Sequence, residues 1–267
     1  MAAPAKTHLR QRMHRLMEAE VANLTLQVAR PLNWHERTVP FPKAVDGATC
    51  FFLRLDGGVV GITANHVVQS FERAQEKSPL TVCQISASRP FDLLGAIIAR
   101  DEDLDLATFA APESLVQEAN AVPLDCRGSW PPPVPDEARA LSVCGYPLQS
   151  RSVSPQGIAE SAAWGGLVAV EYVTGRDIIF TFDPDRDIGS ALAPIPELGL
   201  DLSGCSGGPA LMHGTRNGLH RWFPVGLIVS GSRGQGTRLI PGVDMYYLRR
   251  IDFIRPDGTI GGVRAGL

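Results

Sequence analysis

The stretch RGSWPPPVPDEA, residues 127–138, sets prolines at positions 131, 132, 133 and 135. A proline ring fixes φ and removes an amide donor, so neither a helix interior nor a central strand can run through such a cluster. The chain must therefore divide into two blocks joined near this point. On both sides the apolar runs are short, rich in Val, Ile, Phe and Thr, and broken by Gly, Asp and Pro. Before the linker they are CFFLRLDGGVVGITANHVV from Cys50, LTVCQIS, LLGAIIA and LDLATFAA. After it come ALSVCGYP, LVAVEYV, DIIFTF, GPALM, FPVGLIVSG and TRLIPGVDMYY. Such runs read as strands, and Asp56-Gly57-Gly58 reads as a hairpin turn. Two blocks of short strands predict an all-β chain of two barrels or sandwiches. A short helix over YYLRRIDFI is expected to close the body.

The N-terminus differs. Leu9, Met13, Leu16, Leu24 and Val28 fall at helical spacings among charged residues, so 8–28 is expected to be an amphipathic helix. It either packs on the body or docks a regulatory protein partner through residues 1–43. The segment lacks the apolar stretch of a secretory leader, and no apolar run is long enough to cross a bilayer. A net charge of −3 gives no footprint for nucleic acid or an anionic membrane. The five cysteines are irregularly spaced and none pairs at zinc-finger spacing, which argues for a reducing, cytoplasmic compartment and against a disulfide framework.

Chemistry concentrates in GCSGGP, Gly204 to Pro209, where two possible nucleophiles, Cys205 and Ser206, sit among glycines. Glycines let a backbone fold tightly and aim N–H groups at a reacting oxygen. A hydroxyl needs a base to take its proton. ITANHVV places His66 just after a β-branched strand, where an imidazole is held in place. His8, His14, His35, His213 and His220 lie in polar or glycine-rich settings and read as structural. DEDLDLATFAA supplies an acid to orient the ring: Asp105, followed by an apolar strand, with Asp101 and Asp103 as competitors.

In the order His, Asp, Ser, these segments resemble the trypsin-like (chymotrypsin-fold) serine peptidases, in their intracellular or bacterial type without disulfides. The family's Gly-Asp-Ser-Gly-Gly-Pro appears as GCSGGP, its Thr-Ala-Ala-His as TANH and its Asp-Ile/Leu-Ala as DLA. VGLIVSGS and PGVDMYYL match later segments, so the likeness covers about residues 44–256. It implies two six-stranded antiparallel β-barrels with an N-terminal helical extension, 1–43. The N-terminal barrel is 44–115, a proline-rich linker 116–136, and the C-terminal barrel with its helix 137–267. It also implies a serine endopeptidase acting on a protein or peptide, without metal or cofactor. His66, Asp105 and Ser206 would be catalytic. Ser206 is the residue followed by two glycines, as the family's nucleophile is; Cys205 is not. The oxyanion hole carries over to the N–H groups of Gly204 and Ser206.

By the same likeness the substrate pocket would involve Leu200 at its floor, Asp201 beside it, Val229 and Ser230 on the cleft strand, and Gly231 and Gly242 as walls. An apolar floor favours an apolar or small side chain before the scissile bond; an inward Asp201 would favour a basic one. Cys205 stands where zymogen-type members keep an aspartate that pairs with a new N-terminus. A neutral thiol cannot hold an ammonium, so no activation by N-terminal insertion is expected. Cys205 is then a small buried filler, or a thiol whose oxidation disturbs the adjacent hole. The alternative reading is a catalytically latent member that binds a peptide or protein without cleaving it.

Overall fold

The structure, a computed structural model, describes Leu24 and residues 27–37, 45–137, 139–153, 159–182, 203–232 and 244–261. The chain is mostly β, in two halves. Of the helix expected over 8–28, only Leu24, Gln27 and Val28 lie among the described residues, and they are helical.

The first half is built from β1 (Ala29–Glu36), β2 (Asp46–Leu55), β3 (Gly58–Thr63), β4 (Thr81–Ile85), β5 (Ile97–Asp101), β6 (Leu106–Ala110) and β7 (Leu124–Asp125). Six of these form one antiparallel path, β4-β1-β2-β3-β6-β5, and β7 pairs in parallel with β2. Among the described residues this path ends at β4 and β5 without closing. Strand β1 falls inside the segment expected to be a helical extension, yet it pairs with both β2 and β4. The expected Asp56-Gly57 hairpin is present, joining Leu55 to Gly58. Phe51, Phe52, Leu53, Ile62 and Phe109 are fully buried in this half's core. Consecutive burial along β2 hides the alternation that marks a one-sided strand.

Three short helices connect these strands. The longest, α1 (Asn65–Lys77), begins where the sequence reading let a strand continue through His66, Val67 and Val68. Val67, Val68 and Phe71 lie on one buried face, and Phe71 meets Trp34 at 6.1 Å. The polar residues from Gln69 to Lys77 then fill the outer face, the pattern of a helix packed on a sheet. The others are α2 (Leu93–Ala96), which replaces the start of the expected LLGAIIA strand, and α3 (Glu113–Glu118). No helix among the described residues is long and apolar enough to cross a membrane.

The second half contains β8 (Ala140–Gly145), a ribbon of β9 (Arg151–Val153) and β10 (Ala159–Ser161), then β11 (Trp164–Val173), β12 (Asp177–Phe182), β13 (Pro209–Arg216), β14 (Leu219–Ser232) and β15 (Asp244–Arg250). Six of them close a barrel in the order β11-β12-β15-β14-β13-β8. Leu141, Ile178, Phe180, Ala210 and Leu248 fill it.

The expected C-terminal helix is absent: Tyr246 to Arg250 belong to β15, followed by turns and an Ile254–Ile260 bridge. Strand β15 is flanked by β12 and β14, so its amides are satisfied on both sides, and that ladder outweighs the helical spacing of Tyr, Leu and Ile. The chain then returns to the first half. There Ile251, Phe253 and Ile254 enter its core, and the Gly258 carbonyl accepts from Thr108 Oγ1 at 2.7 Å. Trp130, beside the prolines, donates to the Ile254 carbonyl at 2.7 Å. The linker is therefore packed down rather than loose.

Candidate active site

Asp105 follows a tight turn in which its own N–H bonds the Glu102 carbonyl, and it takes a φ of 51°. That left-handed conformation is one that Asp tolerates better than most residues. It turns both carboxylate oxygens onto the start of α1. Oδ1 accepts the His66 backbone N–H at 2.8 Å, and Oδ2 lies 2.7 Å from His66 Nδ1. The Asp105 carbonyl also accepts the Asn65 N–H at 3.2 Å. A ring held so keeps its proton on Nδ1 and presents the Nε2 lone pair. Its side chain is 40% exposed and that of Asp105 24%, so the pair is open to solvent on one side.

Of the three candidate acids, only Asp105 meets the histidine. Asp101 caps its own turn by accepting the Leu104 N–H at 2.8 Å, and Asp103 is exposed. Asn65 is itself fixed: Arg100 Nε donates to its Oδ1 at 2.8 Å while pairing with Glu72 at 2.5 and 3.0 Å. Thus β5 and the body of α1 anchor the helix start that carries His66. No motif advertised Arg100 or Glu72.

The GCSGGP turn belongs to the second half but rests on the first. The Ser206 carbonyl accepts the Thr49 N–H at 2.9 Å, and the Gly204 carbonyl accepts Thr49 Oγ1 at 2.9 Å. Gly207 has a φ of 85°, and a side chain there would collide with the Thr49 carbonyl and the Thr63 hydroxyl. Only glycine satisfies both conditions. Ser206 is half-buried and Cys205 fully buried against Gly145. None of the five cysteines forms a disulfide.

Two peptide planes in this turn have their carbonyls tied back. Ser203 C=O accepts the Leu148 N–H at 2.7 Å, and Cys205 C=O accepts the Gly208 N–H at 2.8 Å. In a trans peptide the N–H points opposite to the C=O. The N–H groups of Gly204 and Ser206 are therefore aimed away from those ties, and among the described residues neither donates to a protein acceptor. By contrast, the Gly207 N–H is spent on the Ile228 carbonyl at 2.7 Å. Two directed, unspent amides flanking a hydroxyl can hold a developing oxyanion. Among the described residues no hydrogen bond joins Ser206 Oγ to His66.

The remaining expected positions divide. Leu200, Asp201 and Gly242 lie outside the described residues. Val229 is buried and packs into the first half's core, while Ser230 is exposed on β14 opposite Tyr247. Gly231 lies on the same strand opposite Tyr246. A second cation braces the loop behind the turn. Arg151 donates to Asn33 Oδ1 at 2.7 Å and to the carbonyls of Ala48 and Tyr146 at 2.7 and 2.9 Å. Burial brings its pKa down to about 10. Among the described residues no cluster of His, Cys, Asp and Glu could hold a metal ion. No protein-family model matches the chain, and a search of curated proteins found none similar to it.

Proposed function

We propose that this chain is a serine endopeptidase of the trypsin-like type, with the first sheet and the closed barrel as the two halves of a chymotrypsin-like frame. The observation that carries the reading is the double contact of Asp105 with His66, on the ring and on the backbone, with the Ser206 turn resting on Thr49 and on Thr63, which comes just before His66 in the chain. His66 Nε2 takes the proton of Ser206 Oγ as the oxygen attacks the scissile carbonyl. The oxyanion settles between the N–H groups of Gly204 and Ser206. The imidazolium then protonates the leaving amine, an acyl-enzyme forms on Ser206, and water releases it by the reverse transfer. The chemistry uses side chains and amides alone. Ser230 and Gly231 would face the substrate backbone from β14, and Leu200 would favour an apolar or small residue before the cleaved bond.

A fluorophosphonate probe tests this directly. Wild type should be labelled on Ser206, and Ser206→Ala should not; equal labelling of the two would remove the proposal. The missing Ser206–His66 hydrogen bond favours a second reading, a latent site that binds peptide without turnover. Peptide binding that survives Ser206→Ala, with no labelling of wild type, would select it.

A further inference from the structure

We propose that Thr49 is a positioning residue for the oxyanion side of the site, tying the Ser206 turn to the strand that leads into His66. The proposal rests on the reading of Ser206 as nucleophile. The ladder between β2 and β3 runs from Leu55–Gly58 to Phe51–Ile62. Beyond it the chain leaves the sheet, turning at Ala64 into α1. Thr49, two residues past the last pair on β2, would lose its main-chain partners there. Its N–H instead donates to the Ser206 carbonyl at 2.9 Å, and its carbonyl accepts Thr63 Oγ1 at 2.9 Å. The Ser206 turn thus takes the place in the sheet that β3 vacates.

The Thr49 hydroxyl extends the same junction. It donates to the Gly204 carbonyl and accepts the Tyr146 N–H, each at 2.9 Å. Tyr146 leads into Leu148, whose N–H holds the Ser203 carbonyl and so aims the Gly204 N–H. One hydroxyl therefore fixes the peptide after Gly204 and the loop that orients the peptide before it. Thr49 and Thr63 are both fully buried, which shields their side of these bonds from water. From His66 to Ser206 the path is short: the strand end at Thr63, its hydroxyl, then Thr49. Misplacing an oxyanion donor by a fraction of an ångström weakens the transition state while leaving substrate contacts on β14 intact.

Thr49→Val keeps the shape and the main-chain N–H but removes the hydroxyl. In full-length protein it should lower kcat on a peptide ester by about 10²-fold, with KM within about threefold of wild type. Thr49→Ser should restore most of the loss. Wild-type kcat in Thr49→Val, or a loss confined to KM, would overturn the proposal. If Thr49→Val fails to fold, Thr63→Val breaks the same path one bond away. It should lower kcat about tenfold at constant KM, and unchanged kcat there counts against the idea. Amide exchange separates this from the peptidase reading. If wild type is never labelled by fluorophosphonate, that reading fails, and exchange of the Tyr146 N–H alone decides whether Thr49 ties the turn. Exchange about tenfold faster in Thr49→Val and recovered in Thr49→Ser supports the tie; equal exchange rejects it.

Discussion

Asp105 concentrates several demands in one side chain: a left-handed φ, an oxygen for the helix amide and another for the ring. Backbone strain of about 1–2 kcal/mol is stored there, and the surrounding bonds hold it in place. An amide in its position would keep the turn and one acceptor but present N–H to Nδ1. The ring proton would move to Nε2 and the base would be lost. Asp105→Asn should therefore slow fluorophosphonate labelling of Ser206 by about 10⁴-fold with the thermal midpoint nearly unchanged. A loss of less than tenfold would show that His66 works without this orientation. The identity of the acid was only half legible in DEDLDL, because three alternating carboxylates carry the same local signal. Asp101 was diverted into capping its turn, a choice made by backbone geometry.

At the scale of elements, the start of α1 matters most. Ala64 offers no side-chain cap, and the helix instead begins under contacts from outside itself, Asp105 at its first amides and Arg100 on Asn65. Both come from the β5–β6 hairpin. Arg100→Ala would leave the buried Asn65 oxygen unpaired and Glu72 without its cation. Discounted for the partial exposure of that pair, the cost is about 1 kcal/mol, or about 2–4 °C in Tm, read by calorimetry. Labelling of Ser206 should slow with it if Arg100 steadies His66; a pure stability loss would leave the labelling rate of the folded fraction intact. Element type was missed where two environments compete. HVV reads as strand because the β-branched valines favour one, yet sheet packing accepts Val67 and Val68, with Phe71, as a buried helical face. YYLRR went the other way, a helical spacing recruited as a central strand. Removing residues 1–43 to test a docking helix would also remove β1, so a cut before Leu24 is the cleaner form of that experiment.

The whole molecule is held together by groups that cross its two halves: Thr49 and Arg151 near the site, Trp130 and residues 251–261 on the return path. Its thiols report on that closure. Burial pushes Cys50, Cys126 and Cys144 up to about 12, and Cys83 is also raised well above its usual value. Burial likewise raises Tyr146 to about 12. A group whose pKa is higher folded than unfolded stabilises the fold below its unfolded value. That contribution fades as pH rises toward the folded value. Stability should thus fall between about pH 9 and pH 12 by alkaline denaturation followed by circular dichroism. At pH 8 iodoacetamide should modify none of the five cysteines in folded protein and all five after denaturation, as counted by mass spectrometry. Early modification of Cys205 would contradict its burial and revive it as a reactive thiol.

What the amino-acid order determined by itself was local: the division at the prolines, strand-forming runs, the Asp56-Gly57 turn and a glycine-bracketed Ser206. These depend on φ preferences, side-chain branching and turn chemistry within a few residues. The tertiary structure alone decided which carboxylate meets His66, which amides in the Ser206 turn stay unspent, and that Thr49, Arg100 and Arg151 brace the site. Those outcomes follow from bonds between residues far apart in the chain, 155 positions in the case of Thr49 and Gly204. Periodicity along a chain carries no record of such partners. They are chosen when buried polar groups must find one another as the two halves close.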